Sequence, residues 1–111
     1  ESLLNYDIEE KKPKVPFGSL IENNYIEPGE YLFSKDEKII VTVNMNGTIK
    51  FQDLVGSIHN ISAKILNKET NNGWDFWYIK RKNQLVSIDI LRQKFYKDNE
   101  KDEIRWIYKN F

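Results

Sequence analysis

The spacing of apolar residues predicts an amphipathic helix in the middle of the chain. Four of them recur at i, i+3, i+7 and i+8: Ile58, Ile61, Ile65 and Leu66. Ser57 stands directly before this stripe, where its hydroxyl can accept a hydrogen bond from a free N–H of the first turn. We therefore predict a helix over residues 58–66 with Ser57 as its N-cap.

A meander of three antiparallel strands is predicted before this helix. The strands are residues 30–34, 39–43 and 48–51, and the second of them is β-branched throughout. Pro28-Gly29 and the charged residues 35–38 supply two turns. Asn46-Gly47 predicts a two-residue hairpin turn of type I′. A short helix over residues 17–24, with Leu20 and Ile21 facing inward, should precede the first strand.

The chain after the central helix is expected to form one strand and one further helix. Asn72-Gly73 is a strong turn signal, and the aromatic run that follows predicts a strand over residues 74–79. Residues 80–83 form a basic turn. Ser87 can then cap a helix over residues 88–95, in which the buried stripe is Ile88, Leu91 and Phe95.

The two ends of the chain are expected to differ from its middle. Residues 1–14 combine a short apolar patch with a charged run, and Pro13 and Pro16 favour an extended linker or arm. Residues 97–102 predict a solvated break, followed by a short helix with apolar residues at 104, 107, 108 and 111. The expected division is a linker over 1–14, a domain over 15–97 and a tail over 98–111. The fold class predicted for the domain is α+β, a small twisted antiparallel sheet with two or three short helices.

Composition narrows the class of protein without naming a partner. The chain has 111 residues, which suits one domain, and its 17 basic and 17 acidic residues give a net charge of +0. Any nucleic-acid binding must therefore rest on local charge. There is no cysteine, which excludes disulfides and thiolate metal sites and favours the cytoplasm. No apolar run approaches the roughly 20 residues of a membrane span. The chain begins at Glu1 and is interpreted as a piece of a longer protein.

Several short motifs in order resemble one family. Gly-Ser-Ile-His at 56–59, Asn-Gly-Trp at 72–74, Phe-Trp at 76–77 and Ile-Asp-Ile-Leu-Arg at 88–92 resemble the RAMA (restriction enzyme and adenine methylase associated) domain. That domain lies at the C-terminus of bacterial adenine-N6 DNA methyltransferases. The similarity extends over roughly residues 15–97 and is greatest to the cell-cycle-regulated branch, which modifies GANTC sites. It implies a DNA-binding and target-recognition module that holds duplex DNA for a separate catalytic domain.

The residues also argue against catalysis by this chain itself. His59 is the only histidine, the carboxylates are scattered, and no phosphate-cradling glycine loop or metal site is evident. The methyltransferase motifs Asp/Asn-Pro-Pro-Tyr and Phe-x-Gly-x-Gly are absent. We expect no cofactor in this chain, with S-adenosylmethionine bound by the catalytic domain of the parent protein. The implied partners are double-stranded DNA, that catalytic domain and a second copy in a homodimer, with no membrane, in the bacterial cytoplasm at the nucleoid.

Polar and basic residues near the central helix form the candidate DNA surface. Ser57, His59 and Asn60 cluster at a helix N-terminus, which favours a phosphate, and Lys64 lies further along the same helix. Residues Lys80, Arg81 and Lys82 could add a basic ridge nearby. Plain alternatives stay open: Ser57 as a cap alone, His59 as a surface histidine, and the three cations as a solvated hairpin turn.

Asn72, Trp74 and Arg92 complete the candidate set. With Ser57, they match family positions implicated in DNA recognition. Asn72 could read a base edge or serve only the turn, and Trp74 could stack on a base at a rim or lie in the core. Arg92 falls inside the apolar stripe of its helix, so it needs acceptors, for which Asp75 or carbonyls of the 71–73 turn are candidates.

Two other functions are compatible with these residues. The first is a protein-interaction or dimerisation module of the same enzyme, in which the aromatic residues lie in an interface. The neutral charge favours it. The second is a stand-alone reader of modified DNA, since RAMA domains also occur outside methyltransferases.

Overall fold

The computed structural model describes the backbone of residues 15–110 and the side chains of residues 15–99. The elements in chain order are α1 (Phe17–Glu22), β1 (Tyr31–Phe33), β2 (Ile40–Val43), β3 (Ile49–Phe51), β4 (Leu54–Gly56), α2 (Ile58–Leu66), α3 (Gly73–Phe76), β5 (Tyr78–Arg81), β6 (Gln84–Ser87) and α4 (Ile88–Asn110). The strands form one antiparallel sheet in the order β4-β3-β2-β1-β5-β6. The predicted α+β class and the predicted meander of β1, β2 and β3 are confirmed.

One face of the sheet is buried against the helices. Because side chains alternate along a strand, Leu32, Val41, Val43, Ile49 and Ile79 all point to the same side, and each is at most 1% exposed. They form a single core with apolar residues of the helices, among them Leu20, Ile58, Ile61, Trp77 and Ile88. The packing of these helix residues against the sheet therefore fixes the positions of α2, α3 and α4.

The opposite face of the sheet is open to solvent. Tyr31, Ile40 and Val55 are each more than half exposed there. We call this surface the open face; its outward residues include Tyr31, Phe33, Ile40, Thr42, Lys50, Val55 and Lys80. Within the described residues, no helix is long and apolar enough to cross a membrane.

The predicted type I′ turn at Asn46-Gly47 is wrong. Only Gly47 of the pair has a positive φ, +87°, whereas type I′ needs two such residues. The loop has three residues, closed by Gly47 N–H donating to Asn44 O and Asn44 N–H donating to Thr48 O. The side chain of Asn46 instead bonds to the backbone, where its Oδ1 accepts a hydrogen bond from Thr48 N at 3.1 Å.

A two-residue turn with both φ values positive occurs elsewhere in the chain. Lys82 and Asn83, at φ +53° and +64°, join β5 to β6, where Arg81 pairs with Gln84. Strand β6 was not predicted. The basic turn of the sequence is thus the tip of a hairpin, and its first two members lie on a strand.

The predicted strand over residues 74–79 is wrong in its first half. Gly73–Phe76 is a single helical turn, and the strand begins at Tyr78. Asn72 caps the helical turn: its Oδ1 accepts from Trp74 N at 3.0 Å. Trp74 and Trp77 are both buried, and their i, i+3 spacing suits a helical turn that buries one side.

The predicted break at residues 97–102 is also wrong. Helix α4 runs without interruption from Ile88 to Asn110, across the boundary expected between 97 and 98. The stretch contains neither glycine nor proline, so nothing in its backbone chemistry stops the helix. The predicted linker, residues 1–14, lies outside the described residues, as do the side chains of the predicted C-terminal helix.

Candidate nucleic-acid interface at the start of α2

Ser57 begins the site by capping α2 as predicted. Its backbone is extended, at φ −70° and ψ 164°, and its Oγ accepts a hydrogen bond from Asn60 N at 3.0 Å. The cap uses one of the free N–H groups of the first turn. The N–H groups that precede it in the helix keep the partial positive charge of a helix start.

The start of α3 is docked directly on the start of α2. Gly73 N–H donates to His59 Nδ1 at 2.9 Å, and Trp77 Nε1–H donates to Ile58 O at 2.9 Å. A Cβ on Gly73 would lie 2.5 Å from Ile58 C and O and 2.9 Å from His59 N. Only glycine allows the two backbones to approach this closely.

The loop that connects the two helices is fixed near its end, at Asn71, by a buried serine of α2. Ser62 is fully buried; its hydroxyl donates to His59 O at 2.9 Å and accepts from Asn71 Nδ2 at 3.0 Å. Both functions of the hydroxyl are therefore satisfied. This arrangement holds the residues before Asn72 against α2.

His59 links the two helix starts and presents its other edge outward. Because Nδ1 accepts from Gly73, the neutral ring carries its proton on Nε2, an assignment that follows from the hydrogen bond. The residue is exposed at the surface. Partial burial, and secondarily the positive charge of Arg92, lower the pKa of His59 below its ordinary value. At neutral pH it is therefore an uncharged hydrogen-bond donor.

Arg92 lies over the face of Trp74. Its guanidinium carbon is 4.5 Å from the ring centroid, and Trp74, 5% exposed, packs edge-on against Phe17. Trp74 thus belongs to the core and supports the arginine from below. The expected partners of Arg92, Asp75 or the carbonyls of residues 71–73, are wrong. Its ion-pair partner is Asp89, one turn earlier on α4, with Nη2 2.5 Å from Oδ1.

The pairing of Arg92 with Asp89 is incomplete. Asp89 Oδ1 and Arg92 Nε are both buried, and neither makes a well-aligned hydrogen bond with any described residue. A guanidinium has five N–H donors, and a quarter of this side chain remains exposed. The exposed part of the Arg92 guanidinium is therefore open to a further anionic partner from solvent.

Four predicted residues therefore meet at one surface: Ser57, His59, Asn72 and Arg92. Asn72 is exposed, and beyond its cap its amide Nδ2 has no partner among the described residues. Asn60 lies exposed in the first turn of α2. Lys64 lies in the last turn of the same helix, about 6 Å further along its axis than Asn60.

The three cations of the β5–β6 hairpin do not form a common ridge. Lys80 Nζ lies on the open face, 3.0 Å from Glu37 Oε1. Arg81 points elsewhere, with bonds to both carboxylate oxygens of Glu30 and to Tyr25 O. Of the three, Lys82 alone has no ion pair within the described residues. The hydrogen bonds from Gly73 to His59 and from Trp77 to Ile58 were not predicted, because residues far apart in sequence make them.

Comparison with known proteins gives two findings. The sequence model of the family described as Restriction Enzyme Adenine Methylase Associated matches residues 1–101. The chain is also 43% identical over 88 residues to the Type II methyltransferase M.HinfI of Haemophilus influenzae, which covers 79% of this chain and 24% of that protein. The chain thus spans about a quarter of the length of this relative.

Proposed function

This chain belongs to the Restriction Enzyme Adenine Methylase Associated (RAMA) family, and we propose that it is the DNA-binding and target-recognition module of a site-specific DNA adenine-N6 methyltransferase. In this proposal it holds duplex DNA for a separate catalytic domain, which binds S-adenosylmethionine. The long Type II methyltransferase relative supports such a parent. The resemblance to the branch that modifies GANTC sites makes GANTC the first target sequence to test.

The observation that carries the proposal is the set of hydrogen-bond donors gathered at the start of α2. His59 Nε2–H, Asn72 Nδ2, the incompletely paired Arg92 and the free N–H groups of the first turn all belong to one surface. A phosphate offers only acceptors and a negative charge, so it matches this set. Because these donors are local, the site can bind a phosphate although the whole chain has no net charge.

The residues divide into two roles in this proposal. Arg92, His59 and the Ser57 end of α2 contact phosphates and fix the position of the domain on the duplex. Asn72 reads a base edge, and an adenine suits an amide best because it offers one acceptor and one donor in the major groove. Asn72 Oδ1 already accepts from Trp74 N, so a base would use its second lone pair together with Nδ2.

The remaining basic residues are expected to make fewer phosphate contacts than their number suggests. Lys82 and Lys64 are exposed and unpaired within the described residues, so they can reach phosphates. Lys80 lies on the open face, on the other side of the sheet from α2, and Arg81 would first have to leave Glu30. We therefore propose a DNA contact of few charges, with a shallow dependence of affinity on salt.

His59→Asn tests the proposal without removing the joint between the helices. An asparagine Oδ1 can take the place of Nδ1 as acceptor for Gly73 N–H, but it offers nothing at the position of Nε2. The change should weaken binding of a labelled duplex, measured by fluorescence anisotropy at two salt concentrations, while the thermal midpoint stays close to that of wild type. Lys35→Ala is the matched control, since Lys35 is an exposed cation beside the far end of α2.

A dimerisation or protein-docking module is the second candidate. The net charge of +0 and the ion-paired hairpin favour it over a strongly basic DNA module. Duplex binding that is absent at low salt, together with a dimer that forms with rising protein concentration in sedimentation, would select this candidate and reject the first.

A further inference from the structure

The open face places aromatic and basic side chains side by side. Tyr31 is 58% exposed, and Phe33 points to the same side because it is two residues further along β1. Tyr31 pairs with Thr42, which in turn pairs with Lys50. A cation therefore lies two strands away from an exposed ring, in the same row across the sheet.

Lys80 borders Tyr31 on its other side. Strand β5 is antiparallel to β1 with Phe33 opposite Tyr78, so Lys80 lies opposite Tyr31. The Lys80 Nζ is 4.8 Å from the centroid of the Phe33 ring, and these three side chains line an open pocket of about 370 Å³. Tyr31 thus lies between two lysines, Lys50 and Lys80, in one row across the sheet.

We propose that the open face binds single-stranded nucleic acid, with a base stacked on Tyr31 and the adjoining phosphates held by Lys50 and Lys80. Aromatic rings on a sheet, flanked by cations, are how proteins hold unpaired bases without reading their sequence. A duplex cannot use Tyr31 in this way because its base faces are already stacked. This second surface is independent of the donors at the start of α2.

Charge distinguishes this partner from a protein. The outward positions of the described strands carry two lysines and no carboxylate, whereas the chain as a whole is neutral. Glu30 also lines the pocket beside Tyr31, but its carboxylate is paired with Arg81. Glu37 pairs with Lys80 from the neighbouring turn, but both side chains are about half exposed, at 47% and 48%. A surface pair of this kind is held weakly, so a phosphate can replace Glu37. Ile40 and Val55 share the face but have no ring that can stack on a base, so Ile40 supplies the control.

The test compares an unstructured strand with a duplex. A fluorescein-labelled oligo(dT) of about 12 nucleotides, the scale of one such site, is titrated with the 111-residue chain and followed by anisotropy. Tyr31→Ala should weaken oligo(dT) binding by about 5- to 100-fold, the range found for loss of base–aromatic stacking. Tyr31→Phe should retain it. Duplex binding should be unchanged in both variants, because Tyr31 is remote from α2.

Ile40→Ala is the matched control, since Ile40 is exposed to a similar degree but cannot stack. It should leave oligo(dT) affinity unchanged, and thermal melts should show that every variant is folded. Wild-type protein that fails to bind oligo(dT) would overturn the proposal. Equal losses of oligo(dT) affinity in Tyr31→Ala and Ile40→Ala would also overturn it. A concentration-dependent dimer that both changes abolish would instead assign the face to a second copy of the chain. His59→Asn should affect only the duplex, so this proposal and the proposed function can fail separately.

Discussion

Replacing Gly73 by alanine sets two physical effects of opposite sign against each other. Gly73 opens α3 and has no positive φ, so helix propensity alone predicts that alanine stabilises the protein by about 1 kcal/mol. The new methyl group, however, would lie 2.5 Å from Ile58 C and O. These are backbone atoms of α2, which cannot turn aside as a flexible side chain would.

The contact should dominate, because relieving it requires α3 to move away from α2. Overpacking costs about 1–3 kcal/mol. The same movement stretches two hydrogen bonds, from Gly73 to His59 and from Trp77 to Ile58, at about 1 kcal/mol each. After the gain in propensity is subtracted, we expect a net loss of about 2–4 kcal/mol, a large part of the stability of a small domain.

Urea unfolding followed by tryptophan fluorescence measures this loss, since Trp74 and Trp77 lie beside the contact. Gly18→Ala is the matched control: it is also in the first turn of a helix, but its Cβ would be 3.8 Å from the nearest backbone atom. It should be neutral or slightly stabilising. If Gly73→Ala is as stable as Gly18→Ala, the close joint between α2 and α3 does not exist as described.

Three further predictions concern pH, salt and sequence. Because the pKa of His59 is lowered from about 6.5 in the folded protein, the folded protein binds fewer protons than the unfolded one near that pH. The stability from this group should be complete above pH 6.5 and be lost as the pH falls through the folded pKa. Urea midpoints measured across pH should show this dependence in the wild type and not in His59→Asn. Neutralising residues 80–82 together should lower the salt slope of duplex binding by about one unit rather than three, because Lys80 lies on the open face and Arg81 is held by Glu30. A drop of three units in anisotropy titrations would mean that the duplex contacts all three cations. Asn72→Ser keeps a cap for Trp74 N but removes Nδ2, so it should weaken cognate duplex relative to random duplex by about 1–3 kcal/mol; equal weakening of both would show that Asn72 does not read sequence.

Local chemistry made much of the fold predictable. The Ser57 cap, the α2 helix and the strands β1 to β3 all follow from residues close together in sequence, and the structure has each of them. The predicted apolar stripe of α2 is wrong at its last member, since Leu66 is 40% exposed. The strand predicted over residues 74–79 was wrong in its first half. Asn-Gly and aromatic residues favour turn and strand, whereas here Asn72 caps a helical turn. Trp74 and Trp77 at i, i+3 were the signal for it. A basic turn over residues 80–83 was predicted, but its position at Lys82-Asn83 was not, because a lysine with positive φ has no sequence signature.

The sequence indicated which residues form the site but not which contacts hold them together. Arg92 was expected to need an acceptor because it lies in an apolar stripe, and Asp89 at i−3 could have been chosen as its partner from spacing alone. The joint between His59 and Gly73 joins residues 14 positions apart. It depends on how α3 packs on α2, and that follows from the whole core rather than from either segment.

If duplex DNA binds at the start of α2, NMR amide shifts of the isotope-labelled chain will locate it during titration with a GANTC duplex. The largest changes should occur at residues 57–60 and 72–73 and at the Nε–H of Arg92, with little change in β1 to β4. Changes confined to the β5–β6 hairpin or to the open face, or no change at any DNA concentration in low salt, would contradict it.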